Sequence, residues 1–140
     1  MIRKASAKWT GELKSGSGVV SSNSGVLNST PYSFHTRFED QPGTNPEELI
    51  AAAHAACFSM ALSAMLSANN FPPNSVATNA HLSLENVDGS WTITKIHLTT
   101  NASVPNIDNE TFQKIALDAK ANCPISRVLN TDISLTATLD

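Results

Sequence analysis

The chain has 140 residues, nine Lys plus Arg against twelve Asp plus Glu, and a formal net charge of −3. Only 15% of its residues are charged and 41% are hydrophobic, whereas a typical soluble domain carries about 25% charged residues; Ser, Thr and Asn fill the difference. That length suits a single domain over residues 1–140, and so weak a field argues against nucleic acid as a partner.

The first ten residues hold Arg3, Lys4 and Lys8 but no apolar run. No secretory signal is therefore read there, and a cytoplasmic location is the expectation. Up to about residue 40, short bursts of alternation at Ala5, Ala7 and Trp9, at Val19 and Val20, and at Phe34, Thr36 and Phe38 predict three or four strands. Turn residues separate them, including Gly16, Gly18 and Gly25, then Pro42 and Gly43.

Asn45, Pro46, Glu47 and Glu48 form a strong helix start, with Asn45 as the cap, Pro46 at the first helical position and Glu48 three residues beyond the cap. From Leu49 to Leu66 the chain is nearly all apolar, interrupted by His54, Ser59 and Ser63, before Asn69, Asn70 and Pro72 end it. Such a helix either spans a membrane or is buried among other elements. Its Ala content and the lack of flanking basic residues favour a long central helix wrapped by sheet, with small side chains suited to a second subunit's helix.

Val76 to Leu84 alternate, Asp88 and Gly89 supply a tight turn, and Trp91 to Leu98 resume the pattern, which predicts a β-hairpin with a bulge near Lys95. Asp108 caps a helix with Phe112, Ile115, Ala116 and Ala119 on one face, a short helix starts at Pro124, and a last strand carries Ile133, Leu135, Ala137 and Leu139. The expected class is α+β, built on antiparallel sheet.

Two cysteines in a chain of this length do not make a disulfide scaffold. Cys57 lies midway along the apolar helix, where an inert buried thiol competes with a functional one. Cys123 precedes Pro124 and can cap the next helix, where the dipole favours a thiolate; an unremarkable loop thiol is its alternative. If the two touch, one can attack an oxidant and the other resolve the sulfenic acid as a disulfide.

A buried thiol needs a fixed cation to ionise. Arg37, on a predicted strand beside Phe34 and Phe38, is a candidate, with an ordinary surface arginine as the alternative. Glu47 can hold it by a bidentate pair or merely stabilise the helix dipole. Glu47 and Cys57 stand about 15 Å apart along one helix, so Glu47 can serve a Cys57 only across a two-fold axis, which implies a homodimer. His54 sits three residues before Cys57; His35, His81 and His97 lie on strands without paired spacing, so no metal site is expected, and His54 is read as a polar residue at the subunit seam.

Thr44-Asn45-Pro46-Glu47-Glu48-Leu49, the run from Ala53 to Ala61 around His54 and Cys57, and Cys123-Pro124-Ile125-Ser126 together resemble the OsmC/Ohr family. The likeness spans essentially the whole chain and is closer to the family's osmotically inducible branch than to its organic hydroperoxide resistance branch. It implies an intertwined homodimer whose sheets wrap paired central helices. It also implies thiol-dependent reduction of organic hydroperoxides, and less efficiently of hydrogen peroxide, in oxidative or osmotic stress. By the same resemblance Cys57 is the peroxidatic nucleophile, Cys123 the resolving thiol, Arg37 the thiolate-stabilising cation and Glu47 the acid that orients it. No metal or flavin cofactor is implied; an external dithiol, lipoyl in type, is the reductant. Two further readings stay open: a module binding small apolar ligands with inert thiols, and a purely structural stress dimer.

Overall fold

The computed structural model describes every residue from Met1 to Asp140. The chain divides into two compact units, Met1–Leu49 and Ile50–Asp140.

The first unit is a three-stranded antiparallel meander of β1 (Ala5–Thr10), β2 (Ser17–Ser22) and β3 (Thr30–Tyr32), followed by a short helix α1 (Phe34–Phe38) and the first turn of α2 (Pro46–Ala68). Trp9 and Tyr32 flank Gly18 from the two neighbouring strands, with ring centroids 5.5 Å apart. A Cβ on Gly18 would come within 2.5 Å of the Tyr32 ring, so only glycine lets the two aromatics close over β2.

The predicted strand at Phe34 to Phe38 is a helix instead. Ser33 accepts from the Thr36 N–H, and the Thr36 hydroxyl oxygen accepts from the Ser33 N–H, a reciprocal cap that the alternation of apolar residues conceals. One helical turn then brings the Phe34 and Phe38 rings to 4.9 Å.

At the head of α2, Asn45 caps through its side-chain oxygen, which accepts from the Glu48 N–H at 2.8 Å. The Glu48 carboxylate does not complete a capping box but accepts from the Thr44 hydroxyl. The helix ends in a Schellman motif: Phe71 N–H donates to Leu66 O, Asn70 N–H donates to Ser67 O, and Asn70 takes φ +66°.

The second unit holds the rest of α2, the hairpin of β4 (Ser75–Val87) and β5 (Ser90–Ser103), then α3 (Asn109–Asn122), α4 (Pro124–Val128) and β6 (Asp132–Leu139). Asp88 and Gly89, both at positive φ, form the two-residue turn between Val87 and Ser90. Ser83 pairs with Lys95 and Leu84 with Ile93, so the bulge leaves Thr94 as the extra residue, beside the expected Lys95.

The sheet order is β4-β5-β6, and β6 runs parallel to β5, which corrects the all-antiparallel expectation. The cause is the connection: α3 and α4 form a helical crossover, which returns the chain in its original direction where a tight turn would reverse it. Two carbonyls of β6, an edge strand, are occupied by side chains of α3, Lys120 Nζ to Ile133 O and Gln113 Nε2 to Ala137 O, each 2.8 Å.

His54, Phe58, Leu62 and Leu66 recur every fourth residue along α2 and are its four buried side chains. The three apolar ones join Ile96 and Leu98 of β5 and Phe112 and Ala116 of α3 in one core. Other positions of α2 are half-buried or exposed, Met60 by 75%. By length and composition α2 is apolar enough to cross a membrane, with a mean hydropathy of 1.8.

Candidate active site

In the second unit, α2 and the α3–α4 junction bring the two thiols together. Cys123 Sγ donates to Cys57 Sγ across 3.2 Å, and both cysteines are free. A disulfide requires about 2.05 Å, so the pair is a reduced dithiol about 1 Å from closure.

Their burial reverses the expectation from helix composition: Cys57 is half-buried and Cys123 is fully buried. Cys123 ends α3, its N–H donating to Ala119 O, and begins α4, its carbonyl accepting from the Arg127 N–H. Although it stands at the helix cap, its side chain makes no capping hydrogen bond. The first turn of α4 serves the other thiol. Burial pushes the Cys57 thiol above its ordinary pKa, the Ile125 N–H draws it partly back by donating to the sulfur, and the neighbouring Cys123 pushes it up again.

No cation in the second unit is recorded against Cys57. In the first unit, Arg37 and Glu47 form a bidentate pair, Nε to Oε2 at 3.0 Å and Nη2 to Oε1 at 2.6 Å. Arg37 rides on α1 rather than on a strand, and its guanidinium lies 4.9 Å from the centre of the Phe38 ring. Glu47 opens α2 beside Pro46. The side chains are 33% and 13% exposed, so the pair is held yet reachable. Arg37 borders a cavity of about 380 Å³ walled by Trp9, Leu13, Tyr32, Phe34 and Phe38.

His54, read from the sequence as a seam residue, is fully buried, and its Nε2 lies 2.8 Å from Ser126 Oγ. The four-residue spacing of His54, Phe58, Leu62 and Leu66 signals its burial, though not its partner. His81 and His97, read as unpaired, are cross-strand partners in the β4–β5 ladder. No third His, Cys, Asp or Glu joins them to complete a metal site. His97 is instead occupied by Ser134 and Thr136 of β6.

Fold and thiols thus define an α+β protein with a preassembled vicinal dithiol between one long helix and a helix junction. Residues 38–138 match the OsmC-like protein family. Peroxiredoxin OsmC of Escherichia coli K12 is 56% identical over 133 residues, covering 95% of this chain and 93% of that protein. The organic hydroperoxide resistance protein OhrB of Bacillus subtilis is 32% identical over 121 residues, covering 84% and 87%. An OsmC-like protein of unknown function from Vibrio cholerae shares the fold, with a TM-score of 0.78 at 18% identity over 98% of this chain and 99% of that one. The chain belongs to the OsmC family.

Proposed function

We propose that the protein is a cysteine-based peroxidase that reduces organic hydroperoxides, and hydrogen peroxide less efficiently, to alcohols or water in cytoplasmic defence against oxidative and osmotic stress. The observation that carries this reading is the 3.2 Å contact between an accessible Cys57 and a buried Cys123. An inert pair has no reason to meet across 66 residues with one sulfur open to solvent. The names and identities of the Escherichia coli and Bacillus subtilis relatives support it.

The Cys57 thiolate attacks the terminal oxygen of the hydroperoxide. The S–O bond forms as the O–O bond breaks, and the departing alkoxide takes a proton to leave as alcohol, with Cys57 oxidised to sulfenic acid. Cys123 then attacks that sulfur, the S–S bond forms, and hydroxide leaves as water with the second thiol's proton. An external dithiol, lipoyl in type, reopens the disulfide by exchange. No bound metal or flavin takes part.

Burial leaves Cys57 needing a cation, and the Arg37–Glu47 pair is built to supply one. With Glu47 ten residues before Cys57 on α2, the pair reaches a thiol only in a homodimer, Arg37 and Glu47 of one subunit completing the dithiol of the other. The apolar faces of α2 beyond its buried stripe, Met60 included, suit that assembly. The aromatic cavity beside Arg37 suits an alkyl chain.

Thiol titration before and after one equivalent of cumene hydroperoxide tests the reading. Loss of two thiols per chain with release of one alcohol is expected. Retention of both thiols would leave an apolar-ligand binding module in its place.

A further inference from the structure

Three hydrogen bonds join α2 to the four-residue segment from Cys123 to Ser126. Two converge on the Cys57 sulfur, from the Cys123 thiol and from the Ile125 N–H. The third, His54 Nε2 to Ser126 Oγ at 2.8 Å, is independent of that sulfur and reaches across 72 residues. It is therefore the one hydrogen bond of the three that does not depend on the Cys57 sulfur when Cys57 becomes a sulfenic acid.

His54 is made for a fixed task. It is completely buried, and its Nδ1 is enclosed with no hydrogen-bond partner. Burial holds the imidazole neutral by lowering its pKa. With the proton on Nε2, the ring donates to Ser126 and leaves only a lone pair unsatisfied; with the proton on Nδ1, a buried N–H would be orphaned. Orphaned buried N–H groups are the rarer and costlier case, so Nε2–H to Ser126 is the assigned tautomer. A leucine would fill this place in the stripe of Phe58, Leu62 and Leu66 without a desolvation penalty.

We propose that His54, through Ser126, is a positioning residue for disulfide formation: it pins the first turn of α4 against α2 so that Cys123 stays aimed at Cys57 throughout the catalytic cycle. The proposal rests on the peroxidase reading, but its test does not need peroxide turnover. Diamide oxidises a neighbouring dithiol to a disulfide while being reduced to the hydrazine, so closure of the Cys57–Cys123 pair can be timed in a protein that never meets a hydroperoxide.

Ser126→Ala, His54→Leu, His54→Gln and the double variant Ser126→Ala/His54→Leu are compared with the unaltered protein. Diamide closure of the pair is expected to slow about tenfold in Ser126→Ala and in His54→Leu. The double variant should be no slower than either, because both remove one link. His54→Gln, which returns an N–H donor near the Nε2 position, should recover most of the rate, a rescue that cavity filling alone would not produce. With hydroperoxide as oxidant, the slowed variants should yield more dimedone-trapped sulfenic acid per turnover. If His54→Leu does not fold, Ser126→Ala carries the comparison alone, since it deletes one oxygen. Unchanged closure in folded Ser126→Ala would overturn the role of His54. A wild-type protein closed by diamide but indifferent to hydroperoxide would instead overturn the peroxidase reading.

Discussion

Cys123 donates its thiol hydrogen to the sulfur of Cys57 from a buried helix junction 66 residues further along the chain. The two sulfurs differ in access, and in the proposed peroxidase that difference orders them: the oxidant meets the half-buried Cys57 first, and Cys57 presents the product to Cys123.

Substituting either thiol should therefore have different consequences. Cys57→Ser should abolish hydroperoxide consumption. Cys123→Ser should allow one oxidation per chain and then stall with a sulfenic acid that dimedone traps. Peroxide loss measured against protein concentration separates the two, and wild-type turnover by Cys57→Ser would sink the assignment.

In the proposed mechanism the guanidinium of Arg37 supplies the counter-charge for a thiol that burial pushes up. Arg37→Ala should raise the pH at which Cys57 alkylates at half its maximal rate and slow reaction with hydroperoxide roughly a hundredfold, the scale of one lost charge-stabilising donor. Glu47→Gln should act in the same direction but less, because it loosens Arg37 rather than removing it. Stopped-flow alkylation between pH 5 and 10 reads both. An alkylation profile unmoved by Arg37→Ala would end its catalytic role.

Acid should destabilise the fold through His54. Its folded pKa lies below the ordinary value of about 6.5 because burial disfavours the charged ring. Below that value the unfolded chain binds a proton that the folded chain does not. The stabilisation is complete above pH 6.5 and is lost as pH falls toward the folded pKa. Asp108 acts at lower pH: the Thr111 N–H and hydroxyl hold its carboxyl below the usual range, so its contribution fades only as pH falls through that depressed value. Urea midpoints measured from pH 7.5 to 4.5 should decline, and His54→Gln should flatten the decline.

Oxidation to the disulfide should stabilise the chain. A cross-link closing a loop of this length restricts the unfolded ensemble by about 4 kcal/mol on the chain-entropy account. The oxidised protein should unfold at a higher urea concentration than the dithiol form, and Cys123→Ser should abolish the difference. Equal midpoints would mean that closing the last 1 Å strains the α3–α4 junction by as much as it restricts the unfolded chain.

Much of this was legible in the residues themselves. The cap at Asn45, the stop at Asn70, the Asp88–Gly89 turn and the helix at Asp108 are local chemistry, set by side chains within a few positions. Phe34 to Phe38 reads as a strand because phenylalanines four apart satisfy both a two-residue and a helical period, and the Ser33–Thr36 cap decides between them. The direction of β6 depends on a crossover of nearly thirty residues, about which alternation is silent. At the site, the bidentate Arg37–Glu47 pair follows from complementary charge. The pairing of His54 with Ser126 and the relative burial of the two thiols arise from packing between distant segments, which no local pattern carries.

The parallel β6 gives the dithiol a place in the order of folding. The β4–β5 hairpin is local and closes early, whereas pairing β6 beside β5 must wait for the crossover that contains Cys123. A chain emerging in synthesis therefore holds Cys57 before it holds Cys123. A Cys57 oxidised in that interval has no second thiol in its own chain, so the 66 residues between the two sulfurs leave the newest chains the most open to irreversible oxidation.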